Sequence, residues 1–131
     1  MTIDKHFDEW NEVKKSLDST KKVPIYHERE IWWVVIGENI GAEINGKGND
    51  FLRPVLVIRK YGILFFGVPL SSQIHQGMWY DVFAYKNKQQ CVLLSQASTF
   101  SANRLRYKMG RIPTMEYIRI CKSLAKLLFK E

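Results

Sequence analysis

The segment RPVLVIRKYGILFFGVPL, residues 53–70, limits the possible folds of this chain more than any other part of the sequence. It contains two runs of β-branched and aromatic residues on either side of a short turn at KYG, which is the pattern of a β-hairpin. Pro54 stands at the start of its run, where a strand tolerates a missing amide hydrogen. These strands belong in a core, yet Arg53 opens the first, and a pair of hydroxyls, Ser71 and Ser72, closes the second.

Other segments are also rich in β-forming residues. REIWWVVIG (29–37), MWYDVFAY (78–85) and CVLLSQ (91–96) are predicted to be strands, with a turn at KNKQQ (86–90) between the last two. The segment STFSANRLRYKMGRI (98–112) predicts a helical turn followed by a short strand. The chain therefore has enough strands for a small antiparallel sheet.

An amphipathic helix is predicted near each end of the chain. The first, at residues 4–17, has apolar residues at steps of three and four: Phe7, Trp10, Val13 and Leu17. The second follows Pro113, and its predicted buried face consists of Ile118, Cys121, Leu124, Ala125 and Leu128. The glycine-rich segment 37–50 is a candidate mobile loop. This order predicts an α+β fold, a strongly curved sheet or partly open barrel with helices packed outside it.

Length and composition predict one domain without a membrane span. The 131 residues are 46% hydrophobic, which suits a single core. No apolar run approaches the roughly 18 residues of a membrane helix, and the N-terminus lacks the apolar region of a signal peptide, so we expect a cytoplasmic protein. Cys91 and Cys121 stand alone in apolar surroundings, which favours buried free thiols over a zinc site or disulfide.

Charge is distributed unevenly along the chain, whose net charge is +7. Residues 1–52 hold 7 Lys/Arg and 10 Asp/Glu, a sum of −3, whereas residues 53–131 hold 13 and 3, a sum of +10. A solvated basic face is one interpretation. A domain this small and this basic also suits a polyanion or an acidic protein as its partner.

Five segments in order resemble the MazF/PemK family, toxins of bacterial toxin-antitoxin pairs: REIWWVVIGENIGAE, FLRPVLVI, VPLSSQ, LLSQ and RLRYKMGRI. The resemblance implies a small SH3-like β-barrel with peripheral helices in a homodimer. It also implies cleavage of single-stranded RNA without a metal or other cofactor, and a cognate antitoxin whose disordered, acidic tail covers the basic groove. It divides the chain into a toxin domain at 23–131 and an N-terminal helical extension and connector at 1–22.

The resemblance also assigns the two residues that the hairpin left unexplained. In the family, an arginine before a proline and a hydroxyl residue ending the VPL strand face each other across the active site, which implies catalytic roles for Arg53 and Ser71. Here serine replaces the more usual threonine, which keeps the hydroxyl but loses the methyl that stiffens χ1. Arg53 would stabilise negative charge on phosphorus while the ribose 2′-hydroxyl attacks, and Ser71 would donate a hydrogen bond to a phosphate oxygen.

Further candidates for substrate binding are Glu43, Ser72, Gln73, His75, Trp79 and Gln96. Glu43 matches an acidic loop position of the family, and His75 has the side chain that most often shuttles protons. The two glutamines suit the reading of base edges, and Trp79 suits base stacking. Each also has a plain structural interpretation as an exposed loop residue, a strand-end hydrogen-bonding group or a core side chain. No general acid or base is assigned.

Two other functions remain open at this point. One is a non-enzymatic toxin that binds DNA gyrase, as the related CcdB toxins do with the same barrel. The other is an inactive SH3-like binding module for nucleic acid or peptide. Arg53 and Ser71 distinguish these from a ribonuclease, because neither alternative needs a guanidinium and a hydroxyl at these two positions.

Overall fold

The computed structural model describes residues 23–36 and 51–129, which form seven strands, two 3-10 helices and one α-helix. The strands are β1 (Glu30–Val35), β2 (Leu52–Tyr61), β3 (Leu64–Ser71), β4 (Tyr80–Tyr85), β5 (Lys88–Leu93), β6 (Ser98–Ser101) and β7 (Leu105–Arg111). The 3-10 helices are Leu94–Gln96 and Ala102–Arg104, and α1 is Thr114–Phe129. The predicted N-terminal helix and the glycine-rich loop lie outside the described residues.

The predicted hairpin is confirmed as β2 and β3. Its turn contains Gly62 at φ +63°, a left-handed conformation that glycine adopts without strain. Leu56 pairs with Val68 in the middle of the hairpin, and both side chains are fully buried. The apolar runs of the sequence therefore mark the centre of the core, as their composition indicated.

All paired strands are antiparallel, in the order β4-β5-β3-β2-β1-β7, and β6 also pairs with β3. Strand β3 changes partner along its length, because residues 64–67 pair with β6 whereas Leu70 and Ser71 pair with β5. Gly67 lies at this change, where an added Cβ would come within 2.5 Å of Val55 Cγ1. This arrangement brings the end of β3, with Ser71, next to the β4–β5 hairpin.

Strands β4 and β7 lie at the two ends of this order, and no pairing among the described strands joins them. A side chain approaches across the gap, since the Tyr85 hydroxyl in β4 donates to the Met109 carbonyl oxygen in β7 at 3.4 Å. The same hydroxyl packs on Gly110, where an added Cβ would lie 1.6 Å from it. The predicted antiparallel sheet with a C-terminal helix is confirmed, whereas a closed SH3-like barrel is not confirmed by these pairings.

Helix α1 packs on the sheet through a stripe that only partly matches the predicted one, since Leu124 is buried as predicted. Ile120 and Leu124 are buried, and Tyr117 packs against the same core. Ile118 and Leu128 are 41% and 57% exposed, so their assignment to the buried face is wrong. The helix carries apolar residues on two adjoining stripes, and periodicity alone does not decide which one the sheet covers.

The other strand predictions are confirmed with shifted ends. The strand predicted at 78–85 is β4, which begins at Tyr80, and the one predicted at 91–96 is β5, which begins at Lys88 and ends before a 3-10 helix. The segment 98–112 contains the predicted helical turn and strand, but also β6, which was not predicted. Three of the four residues of β6 are serine or threonine, so its sequence resembles a loop, and its pairing with β3 makes it a strand.

The predicted free thiols are confirmed for both cysteines. Cys91 is buried, Cys121 is half-buried, and both are free thiols. Within residues 23–36 and 51–129, no helix has the length and apolarity to cross a membrane.

Candidate functional site

Arg53 and Ser71 lie at the adjoining ends of β2 and β3. Val55 of β2 pairs with Pro69 of β3. If this antiparallel register is continued by two residues, Arg53 lies opposite Ser71. Arg53 is also paired with Val34 of β1, and Ser71 with Cys91 of β5, so neighbouring strands fix both backbones. The two side chains are 7% and 8% exposed, which is unusual for these residue types.

Both side chains line a pocket of about 390 Å³, within the range of small-ligand sites. We call it the Arg53 pocket. Its lining residues are Trp33, Arg53, Pro54, Leu70, Ser71, Ser72, Tyr85, Lys86, Lys88, Gln90 and Met109. Three of them are cations and none is a carboxylate. The pocket is therefore suited to a negatively charged ligand.

Burial determines the electrostatics of Arg53. Desolvation by burial lowers the pKa of its guanidinium below the ordinary value for arginine. A charge with little water around it interacts with an incoming anion more strongly than an exposed one, because the local dielectric is low. The planar guanidinium also offers paired donors that match two phosphate oxygens.

The hydroxyl of Ser71 is oriented by its own chain. Ser71 Oγ accepts a hydrogen bond from the backbone N–H of Gln73 at 3.1 Å. A hydroxyl has one donor and two acceptor lone pairs, so this contact uses an acceptor position. The O–H of Ser71 can still donate to a ligand in the Arg53 pocket.

Two lysines of the pocket, Lys86 and Lys88, come from the hairpin formed by β4 and β5. The turn has two central residues, Lys86 and Asn87, with φ values of +49° and +64°. Tyr85 and Lys88 pair directly on either side of it. Positive φ at both central residues is the geometry of a tight type I′ hairpin, which holds Lys86 and Lys88 at the edge of the pocket.

Of the substrate-binding candidates, Ser72 lies in the Arg53 pocket with Arg53 and Ser71. Gln73 contributes its backbone amide to Ser71, and its side chain does not line the pocket. Gln96 ends a 3-10 helix outside it. Glu43 falls outside the described residues.

His75 and Trp79 do not line the Arg53 pocket. The His75 ring stacks on Tyr80 with centroids 5.0 Å apart. Trp79 is 55% exposed and lines a separate groove of about 830 Å³ beside Ser123 and Leu127 of α1. The structure therefore does not bring these two candidates together with Arg53.

Sequence reasoning did not single out several side chains of this pocket: Trp33, Tyr85, Gln90 and Met109. Trp33 carried a usable signal, because only one of two adjacent tryptophans on a strand points into the core, and Trp32 is the buried one. Tyr85 and Gln90 carried no such signal in the sequence, because their position near Arg53 depends on how β3 pairs with β5.

In the part of the chain that the structure describes, no group of three or more His, Cys, Asp or Glu side chains converges as metal ligands do.

Several solved structures have a similar arrangement of strands and helix. MazF from Deinococcus radiodurans is 17% identical, with a TM-score of 0.65 over 82% of this chain and 98% of that one. The same organism's MazE-MazF is 15% identical, with a TM-score of 0.60 over 82% and 97%. An endoribonuclease in complex with its cognate antitoxin from a mycobacterial species is 12% identical, with a TM-score of 0.60 over 79% and 95%. These likenesses define a MazF-like fold.

The family follows from the sequence itself. The family model described as PemK-like, MazF-like toxin of type II toxin-antitoxin system matches residues 27–128, most of the chain. The chain therefore belongs to the PemK-like, MazF-like toxin family. No sequence among the curated proteins matches it significantly.

Proposed function

We propose that this protein is the toxin of a type II toxin-antitoxin pair and that it cleaves single-stranded RNA without a metal ion. The observation that carries the proposal is the burial of Arg53 and Ser71 in one pocket whose charged lining residues are all cations. Family membership supports it, because MazF/PemK proteins are generally endoribonucleases.

The proposed reaction uses the ribose 2′-hydroxyl as the nucleophile. Its oxygen forms a bond to the adjacent phosphorus while the bond to the 5′-oxygen breaks, which leaves a 2′,3′-cyclic phosphate and a 5′-hydroxyl. Negative charge grows on the non-bridging oxygens in the transition state. Arg53 stabilises that charge, and Ser71 donates a hydrogen bond that holds the phosphate in line.

The proton transfers are not assigned to particular residues. Desolvation lowers the pKa of Arg53, which makes loss of its proton less costly than for an exposed arginine. His75 is stacked on Tyr80 outside the pocket, which argues against it as the base. Arg53 is accordingly proposed as an electrostatic group first.

The proposed partners are single-stranded RNA, a cognate antitoxin and a second copy of the chain, in the cytoplasm. The antitoxin is supported by two similar structures, the MazE-MazF pair and the endoribonuclease with its cognate antitoxin.

A second copy of the chain is supported by exposed apolar side chains. Met115 and Phe129, for example, are 77% and 71% exposed, which leaves surface that a second copy would cover. Sedimentation of the purified chain should give a dimer, and a monomer at micromolar concentration would contradict that part.

A single incubation tests the activity. Purified protein is mixed with a long single-stranded RNA in excess EDTA, and both ends of each product are mapped. We expect cleavage to 5′-hydroxyl and 2′,3′-cyclic phosphate ends. Activity that appears only with added Mg²⁺ would refute the metal-independent mechanism, and normal cleavage of a substrate with a 2′-deoxy sugar at the cut would refute the nucleophile.

A further inference from the structure

The turn between β4 and β5 carries a lysine in an unfavourable conformation. Lys86 has φ +49°, in the left-handed region that glycine, asparagine and aspartate adopt far more readily than lysine. The next residue, Asn87 at φ +64°, is of a type that tolerates this region. Glycine or asparagine is the usual choice at both central positions of such a turn. Lys86 therefore occupies this position at a conformational cost.

The strained lysine faces the candidate site. Lys86 lines the Arg53 pocket together with Tyr85, and its Nζ lies 5.4 Å from the centroid of the Tyr85 ring. Backbone strain of this kind is often found at functional sites, where the side chain contributes something that a relaxed residue would not. Here that contribution is a positive charge at the pocket edge.

Tyr85 is held in place by contacts with strand β7. Its hydroxyl donates to the carbonyl oxygen of Met109 and packs on Gly110, so the ring spans from β4 to β7. Trp33 lines the same pocket. The pocket thus combines cationic groups with aromatic side chains, which are the two features needed to bind the phosphate and the base of a nucleotide.

We infer that the end of the β4–β5 hairpin is a nucleotide subsite, in which the Lys86 ammonium moves from the face of the Tyr85 ring to a phosphate and Tyr85 stacks on the base of a nucleotide next to the one that is cut. The inference rests on the proposed function for the identity of the ligand as RNA. It adds a binding element that the Arg53 and Ser71 assignments do not contain.

A matched pair of glycine substitutions in the turn tests the lysine. Lys86→Gly and Asn87→Gly both relieve a positive φ, so each should leave the melting temperature unchanged or raise it by a few degrees. Only Lys86→Gly removes the charge. The probe is a labelled random-sequence 2′-O-methyl RNA, which lacks the nucleophile, and its Kd is measured over a range of salt concentrations.

For Lys86→Gly we expect weaker binding and a slope of log Kd against log salt that is about 0.7 smaller than for the native chain, the value for one phosphate contact to a single strand. Asn87→Gly should keep the native slope. Equal slopes for the two variants would overturn the role of Lys86.

A second pair of variants tests the base contact. Tyr85→Leu should weaken binding of the same probe about tenfold, as expected for one stacked base. Tyr85→Phe loses the hydrogen bond to Met109 but keeps an aromatic ring, so its affinity for the probe should stay close to that of the native chain. Equal losses in the two variants would overturn stacking and leave the Met109 hydrogen bond as the reason for the tyrosine.

The outcomes separate this subsite from the proposed activity. If native protein cuts RNA in EDTA while Lys86→Gly and Tyr85→Leu bind the probe as native protein does, the subsite is wrong and the activity stands. If native protein cuts no RNA but binds the probe with the expected losses in these variants, the activity is wrong and the nucleotide subsite stands.

Discussion

Ser71 ends a buried strand with its hydroxyl held by the backbone N–H of Gln73. That contact restricts the side chain in the way the methyl of a threonine would restrict χ1, so the loss of the methyl is partly offset. In the proposed mechanism the hydroxyl is a preoriented donor to a phosphate oxygen. Its removal should therefore affect the chemical step more than RNA binding.

We predict that Ser71→Ala lowers kcat for RNA cleavage by about 100-fold, the usual loss for one donor in such a site. Ser71→Thr is the matched control, because it keeps the hydroxyl, and its rate should stay far above that of Ser71→Ala. Single-turnover cleavage of one mapped site measures both. Similar rates for Ala and Thr would mean that the hydroxyl takes no part in the reaction.

Glu30 is a buried carboxylate away from the pocket, and it ties β1 to β7. It accepts hydrogen bonds from Trp32 Nε1 at 2.9 Å and from the His27 backbone N–H at 2.7 Å, and it pairs with Lys108 Nζ at 3.0 Å. Burial by itself would raise the pKa of Glu30, but these donors outweigh it and lower the pKa from 4.5 to about 2. The ionised form is thus the one that the fold stabilises.

This carboxylate should make stability depend on acid in a defined window. Because the folded pKa lies below the unfolded one, the stabilisation is complete above pH 4.5 and is lost as the pH falls towards 2. The shift corresponds to about 3 kcal/mol of unfolding free energy. We predict that Glu30→Gln is less stable at pH 7 and that its deficit in urea unfolding narrows below pH 4.5. A deficit that is constant with pH would show that the charge is not what stabilises the fold.

Among the secondary-structure elements, the positions of the hairpin β2–β3 and of helix α1 along the chain were predictable from the sequence. Alternating or continuous apolar runs fix strand positions, and a proline followed by a polar residue marks where the helix begins. The stripe of α1 that packs on the sheet was not predictable, because Ile118 and Ile120 are equally apolar and only the sheet decides between them.

The candidate site was predictable only in part for a related reason. Arg53 and Ser71 stand out as polar residues at the ends of apolar strands, so the sequence marks them. Tyr85 and Trp33 look like ordinary strand residues, and they become part of the pocket only through long-range strand pairing. Residue spacing carries no information about such pairing.

The contact between β4 and β7 gives a prediction for Gly110. An alanine Cβ there would overlap the Tyr85 hydroxyl oxygen at 1.6 Å and the ring carbon that bears it at 2.9 Å. Gly110→Ala should displace Tyr85 and lower the melting temperature by several degrees, in the range of ~1–3 kcal/mol for overpacking. In a Tyr85→Phe background the same change should cost less, because the closest atom is gone. An equal cost in both backgrounds would mean that the two residues are not coupled.

For the whole molecule, shared fold and shared chemistry rest on different evidence. At 12–17% identity, the solved MazF-like structures establish how the sheet and helix are arranged. The match of the family model over residues 27–128 establishes that the chain belongs to this toxin family. The activity of this chain depends on whether its own Arg53 pocket does what the family generally does.

The catalytic role of Arg53 is tested by Arg53→Ala, with cleavage rate, RNA affinity and melting temperature measured on one preparation. We predict a rate lower by orders of magnitude, a much smaller change in affinity and a melting temperature close to that of the native chain, because Arg53 acts on charge that grows in the transition state. Arg53→Lys should rescue poorly, since one ammonium does not reproduce the forked donors. A lower melting temperature with a native rate per folded molecule would instead make Arg53 a structural residue with no part in the cleavage of RNA.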